Sequence, residues 1–335
     1  MFRKHRFLAN GEIKYMKTIA VLTSGGDAPG MNAAIRAVVR AGISMGLKVK
    51  GVRRGYAGLI EGDIIDMDAR SVSDIIQRGG TMLYTARCPE FKTQEGVDKA
   101  IASCKAHGID GIVVIGGDGS FRGARDLSLG GIPCVGVPGT IDNDISSTEY
   151  TIGYDTAMNT ALEMVDKLRD TCQSHDRCSV VEVMGRRAGY LALQTGIACG
   201  AVAILVPEVE FDLQKDVIDK ISAIKATGKK HFVVVVAEGV GGVEEIAAKI
   251  EEGTGIESRA TILGHVQRGG VPSARDRVMA SQMGYHAVSL LNKGIGNRVV
   301  TFVKSEIGDM DIYEALNMKK PLDVDEYNMA TAMSI

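Results

Sequence analysis

Ile112-Val113-Val114-Ile115 is an unbroken run of β-branched residues that stops abruptly at Gly116-Gly117-Asp118-Gly119-Ser120. A run with no polar face is read as a strand buried on both sides of a parallel sheet. The pattern recurs. Residues 18–22 end in Thr23-Ser24-Gly25-Gly26-Asp27, and 132–137 in Pro138-Gly139-Thr140-Ile141-Asp142-Asn143-Asp144. Residues 179–183 end in Met184-Gly185-Arg186-Arg187, 202–206 in Pro207-Glu208, and 232–237 in Glu238-Gly239, with 299–303 as the last strand. Helical spacing lies between these runs. Ile35, Val38, Val39, Gly42 and Ile43 share one apolar face, as do Ala157, Ala161, Met164, Val165 and Leu168. A short helix is expected to start over 72–77, a charged one over 213–225, and a helix with a loose end over 314–335. Strands alternating with helices make an α/β chain of parallel sheets sandwiched by helices. The 335 residues argue for two domains.

Ligands of such sheets sit at the carboxyl ends of the strands, where these polar turns fall. Glycine allows close approach of a ligand, and a helix starting near Ser120 would point free N–H groups at a phosphate chain. Asp118, among those glycines, would repel phosphate directly but suits Mg²⁺ bridging to it. Asp142 and Asp144 beside Thr140 would raise one another's pKa, as fits a general base next to a metal-associated partner. Arg87, held on a stiff segment before Cys88-Pro89, can reach a transferring phosphoryl group, and Arg186 and Arg187 stand at a strand mouth. Arg36 and Arg40, four apart on a helix, can reach one anion. Singly, each has an ordinary explanation as an Asx-rich turn or a surface arginine. Together they suit phosphoryl transfer to an acceptor that is itself phosphorylated. No GxxxxGK[ST] and no clean GxGxxG occurs, which sets aside a Walker loop and weakens a dinucleotide fold.

Net charge is −2, tryptophan is absent and aromatics are 5%, so neither a basic surface nor a base-stacking platform is indicated. The six cysteines form no CxxC pair and read as free thiols of a reducing cytoplasm. No apolar run reaches the length of a membrane span. Residues 1–15 are basic without an apolar core, and are expected to be a disordered extension or a misassigned start.

Six stretches, TSGGDAPGMNAAIR, YTARCPEF, VIGGDGS, VPGTIDND, VEVMGR and LGHVQRGG, in this order, resemble bacterial ATP-dependent 6-phosphofructokinases. The likeness runs from about Lys17 to the C-terminus. It implies two similar lobes, with 16–153 and 267–317 binding ATP and 154–266 and 318–335 binding fructose 6-phosphate. Gly26, Gly117, Gly119 and Ser120 would bind ATP phosphates, with Arg87 and Cys88 beside them and Asp118 carrying Mg²⁺. Asp142 would take the proton from the sugar 1-hydroxyl as it attacks the γ-phosphate. Thr140 and Asp144 would support it, and Arg186 would stabilise the transition state. Met184, Gly185 and Glu238 would contact the sugar, and His265 and Arg268 its 6-phosphate; Ile141, Val266 and Gln267 fall in the same substrate-binding motifs. Arg177 and Arg259 would come from a neighbouring subunit of a cytoplasmic homotetramer. The loops are expected to converge on a single magnesium-charged cleft.

Pyrophosphate-using relatives carry aspartate where this chain has Gly119 and lysine where it has Gly139, so ATP is the implied donor. At the implied effector site Arg36, Arg40, Arg169 and Lys229 match. Val202 stands where a metal-linked glutamate is frequent, Ala69 replaces an arginine found in some members although Arg70 is adjacent, and Thr227 replaces a basic residue. Weakened ADP activation is expected. The alternatives are another GGDG kinase, which would lack VPGTIDND and HVQRGG, a non-catalytic sensor, which would have lost Asp118 or Asp142, and a nicotinamide-dependent dehydrogenase, which would need the missing glycine fingerprint.

Overall fold

Burial on both faces leaves an apolar strand no choice but a covered sheet, and the long β-branched runs take that form, save that the run over 299–303 ends with Phe302 half-buried and Val303 exposed. The structure, a computed structural model, describes residues 7–9, 12–14 and 16–335. In chain order the elements are β1 (Phe7–Ala9), β2 (Glu12–Lys14), β3 (Thr18–Thr23), α1 (Met31–Ser44), β4 (Lys48–Val52), α2 (Gly55–Glu61), β5 (Ile64–Met67), α3 (Gln94–Ala106), β6 (Gly111–Gly116), α4 (Asp118–Leu129), β7 (Cys134–Pro138) and α5 (Tyr154–His175). There follow β8 (Cys178–Val183), α6 (Tyr190–Cys199), β9 (Ala203–Leu205), α7 (Lys220–Ala226), β10 (Phe232–Ala237), α8 (Val243–Thr254), β11 (Ser258–Ile262), α9 (Ala274–Asn292), β12 (Arg298–Val303), β13 (Glu306–Asp311), α10 (Ile312–Asn317) and α11 (Val324–Met333).

The chain divides into two units. The first holds the described residues up to Thr140, with Ile145–Gly153 and Arg268–Lys320; the second holds Ile141–Asp144, Tyr154–Gln267 and Pro321–Ile335. The acidic segment Ile141–Asp144 thus groups with the second unit although both its flanks belong to the first. The first unit's sheet has the order β13-β12-β7-β6-β3-β4-β5, parallel at its centre, with antiparallel strands at both edges. Phe121, Leu22, Leu59, Ile112 and Leu127 pack its core under α2, α3 and α4. The second unit's sheet, β11-β8-β10-β9, is wholly parallel, with one apolar cluster on each face.

Several expectations are corrected. Residues 72–77 form turns and not a helix, because Asp74 takes a left-handed φ of 54° that interrupts helical geometry. Ile43 is exposed; Gly42 takes the inward place against Val49, and the next residue turns away from it. Residues 299–303 are not the last strand. β13 follows through a two-residue turn with Lys304 and Ser305 both left-handed (φ 51° and 65°), and its polar sequence gave no apolar run. The tail contains two short helices, α10 and α11, capped by Asp311 and Asp323. Of the leading extension, β1 and β2 pair antiparallel with Leu8 opposite Ile13, and the rest of that expectation lies outside the described residues.

Fully buried Asp276, in the first turn of α9, accepts hydrogen bonds from the Tyr150 hydroxyl at 2.6 Å and the Gly153 N–H at 2.7 Å. Asp276→Ala leaves two buried donors without their charged acceptor, so unfolding free energy should fall by about 3–4 kcal/mol. Urea titration checks this, and a loss under about 1 kcal/mol would contradict it.

Candidate active site

In the first unit, β3 and β6 run parallel and end side by side, with Thr23 opposite Ile115. Both then break into glycine. A Cβ on Gly116 would fall 2.4 Å from the Ser24 carbonyl, so the two turns touch. α4 begins at Asp118 itself, two residues before the expected start, with no side chain capping it. The Ser120 and Phe121 N–H groups bond back to the Gly117 carbonyl (2.9 and 3.1 Å), and the turn lies in the positive field of the helix end. Around Gly117 and Gly119 a Cβ would meet nothing within 4 Å. A half-buried carboxylate thus stands at a bare helix start with open room on both sides.

Hydrogen bonds hold this mouth rigid. The Ser120 hydroxyl donates to the Ser24 carbonyl (3.0 Å), and the Tyr56 hydroxyl donates to the Ser120 carbonyl (2.5 Å). Tyr56 is stacked on Phe91 at 4.0 Å, and burial pushes its phenol pKa well up, so it stays a donor. Thr85 donates to the Gly25 carbonyl (2.8 Å) and Thr23 to that of Tyr84 (2.8 Å). Asn32 donates to the Arg78 and Gly79 carbonyls and accepts from Met82 N–H at 2.7 Å. These bonds fix the loop that presents exposed Arg87 and half-buried Cys88. Sequence reading missed Tyr56, Asn32, Thr23 and Thr85. The one signal was Gly123 inside α4, where a Cβ would sit 2.6 Å from the Tyr56 ring. Arg268 also belongs to this unit, and its guanidinium lies against Gly26.

In the second unit the mouths of β8 and β10 are tied together. Gly185 has φ 145° and Arg186 φ 56°, a left-handed turn just past β8. The Arg186 N–H donates to Glu238 Oε2 (3.1 Å), and the Glu238 N–H to the Val183 carbonyl (2.8 Å). Glu208 accepts from Gly189 N–H at 2.8 Å. Gln267 is fully buried; its oxygen accepts from Met184 N–H (3.3 Å) and its amide donates to the Gly264 carbonyl (3.0 Å). Its side chain therefore braces two substrate motifs, while His265 and Val266 beside it are exposed. Asp142 is buried, at 3% exposure; Asp144 is half-buried, and Asn143 between them takes φ 50°. The Tyr190 phenol is pushed up to about 12 by burial, with the charges of Glu208 and Asp144 adding to the shift. Burial also raises the Glu182 carboxyl, helped by Glu238 and Glu244.

Not every expected residue sits at a carboxyl strand end. Arg177 precedes β8, and Arg259 lies near the start of β11, paired with Ser179. Both bind Glu257 at 2.7 Å, and the Arg177 hydrogen bond, then that of Arg259, holds that carboxyl below its usual range. A six-residue strand is roughly 20 Å long, so these two arginines stand far from Arg186 at its other end. Of the expected effector residues, Arg36 and Arg40 lie on α1 of the first unit. In the second unit Arg169 donates to the Cys199 carbonyl, and Lys229 lies over the Phe232 ring at 5.7 Å. Val202, 3% exposed, is part of the apolar core.

Among the described residues no three His, Cys, Asp or Glu side chains gather as a metal cage, the six cysteines are free, and no helix is long and apolar enough to cross a membrane. Asp118 in the first turn of α4 fits Mg²⁺, which favours one or two carboxylates plus phosphate oxygens and water.

A glycine-flanked helix start at parallel strand mouths, with an acid in its first turn, is the kind of site an α/β phosphotransferase uses. The sequence profile of the phosphofructokinase family matches residues 18–291. The chain is 60% identical over 319 residues to the ATP-dependent 6-phosphofructokinase of Clostridium botulinum (strain Loch Maree / Type A3), covering 95% of this chain and 100% of that one. It is 56% identical over 320 residues to the enzyme of the same name from Bacillus cytotoxicus, covering 96% and 100%. Phosphofructokinase from Saccharomyces cerevisiae superposes with a TM-score of 0.85 at 35% identity, over 95% of this chain and 48% of that longer one. A pyrophosphate-dependent phosphofructokinase from Marinobacter aquaeolei shares the fold, with a TM-score of 0.81 at 24% identity, over 92% and 86%. This chain belongs to the phosphofructokinase family.

Proposed function

We propose that the chain transfers the γ-phosphoryl group of MgATP to the 1-hydroxyl of fructose 6-phosphate, giving fructose 1,6-bisphosphate and ADP, a committed step of glycolysis. The observation that carries this is the bare N-terminus of α4, where Gly117 and Gly119 leave open space on both sides of Asp118. Bound there, Mg²⁺ would neutralise charge on the phosphate oxygens, and Asp118 would hold it. Gly26, Gly117, Gly119 and Ser120 line the site of the phosphates at this helix end, with Arg87 and Cys88 flanking them. Asp142 takes the proton from the attacking 1-hydroxyl, with Thr140 and Asp144 orienting it. Arg186 neutralises charge that develops on the moving phosphoryl group. Glu238 fixes the Arg186 backbone as well as facing the sugar. Met184, Gly185, His265 and Arg268 bind the sugar phosphate.

Placement of Arg177 and Arg259 at the amino ends of β8 and β11 suits service to a neighbouring subunit, in keeping with a cytoplasmic homotetramer. Gly119 supports ATP as the donor, since an aspartate there would set a second negative charge in the phosphate cradle. The test is ADP release from ATP with fructose 6-phosphate, repeated with pyrophosphate as donor. Turnover with ATP alone is expected, and turnover with pyrophosphate alone would overturn the assignment.

Regulation by ADP is expected to be weak or absent. Val202 is core and has no side-chain oxygen for a metal, and Thr227 has no charge. Saturation curves for fructose 6-phosphate with and without ADP should superpose within about twofold, whereas strong activation at micromolar ADP would refute this.

A further inference from the structure

Gly26 and Arg268 meet within the first unit. A Cβ on Gly26 would lie 2.6 Å from Nη1, 3.0 Å from Cζ and 3.3 Å from Nη2 of Arg268. Its φ lies outside the positive range, unlike that of neighbouring Gly25 at +89°, so the backbone does not demand glycine there. What favours it is the Arg268 guanidinium, which occupies the space a Cβ would take. Nε of Arg268 is buried and has no hydrogen-bond partner among the described residues. An arginine held with an unused donor suits an anion still to arrive.

Resting on the reaction proposed above, we propose that Gly26 is a positioning residue for the sugar 6-phosphate, because its bare backbone seats the Arg268 guanidinium. The first glycine turn would then serve both substrates. Its backbone would line the nucleotide phosphates, and its missing side chain would set the place of the arginine that grips the acceptor.

Gly26→Ala isolates this role. The added methyl meets only the movable end of a side chain, so the guanidinium shifts and the fold is kept. The expected result is a KM for fructose 6-phosphate raised about tenfold or more, with KM for ATP changed less than about threefold and kcat less than either trend would suggest for lost chemistry. Arg268→Lys keeps the charge but removes the planar fork, and weakens sugar-phosphate binding by itself. In that background Gly26→Ala should add less than about twofold, since the atoms it displaced are gone. Calorimetric titration of fructose 6-phosphate without nucleotide should show the same non-additivity. Additive effects, a rise confined to KM for ATP, or unaltered KM values in Gly26→Ala would each overturn the proposal. Absence of turnover in the parent enzyme with ATP and fructose 6-phosphate would instead bring down the proposed reaction itself, and this role with it.

Discussion

Asp142→Ser is expected to lower kcat by about 10²–10⁴-fold, the usual share of a positioned general base. The sugar's 6-phosphate and hydroxyl contacts come from other residues, so the dissociation constant of fructose 6-phosphate should change by less than about threefold. Position 142 is 3% exposed, and serine is smaller than aspartate, so the substitution needs no repacking. Steady-state turnover alongside calorimetric binding separates the two effects. A variant that keeps near-parental kcat would remove Asp142 from the chemistry. One that loses binding in proportion to rate would make it a ligand and not a base.

Asp118→Asn should cost about 10²–10³-fold in kcat, comparable to deleting one preorganised electrostatic contact. Asparagine keeps the size and the helix start but removes the charge that holds a hard divalent cation. The signature is a displaced metal requirement. Titrating Mg²⁺ at fixed ATP should show half-saturation moved upward by about tenfold or more, with partial recovery of rate at high metal. An unchanged metal titration would mean that Asp118 acts through α4 alone, as a favourable charge at the helix N-terminus.

The long β-branched runs made the parallel cores legible, since nothing but a doubly covered strand accommodates Phe232–Ala237 or the run before Gly116. Their terminal turns made the glycine and acidic segments legible as well. Polar edges were not. β13 carries Asp309 and Asp311 and is turned by Lys304 and Ser305, neither a usual left-handed pair, so pattern reasoning stopped one strand early. The bracing of the site was equally hidden. Tyr56, Asn32 and Gln267 act through carbonyl and N–H groups far away in sequence, and such partners follow only from the fold. Gln267 shows the limit best, because its motif marks it as a substrate residue while its side chain is spent on Met184 and Gly264.

The interleaving of the two units sets the timetable on which the polypeptide matures at the ribosome. Inner strand β7 lacks one of its two partners until Arg298–Val303 has been synthesised, because β12 completes that side of the sheet. The second unit in turn waits for α11, which follows the last segment of the first unit. Neither half can therefore ripen as an early, self-contained piece, and one edge of an inner strand stays open until β12 emerges. Nascent chains of this protein should depend on holding factors more than chains whose domains close one after another.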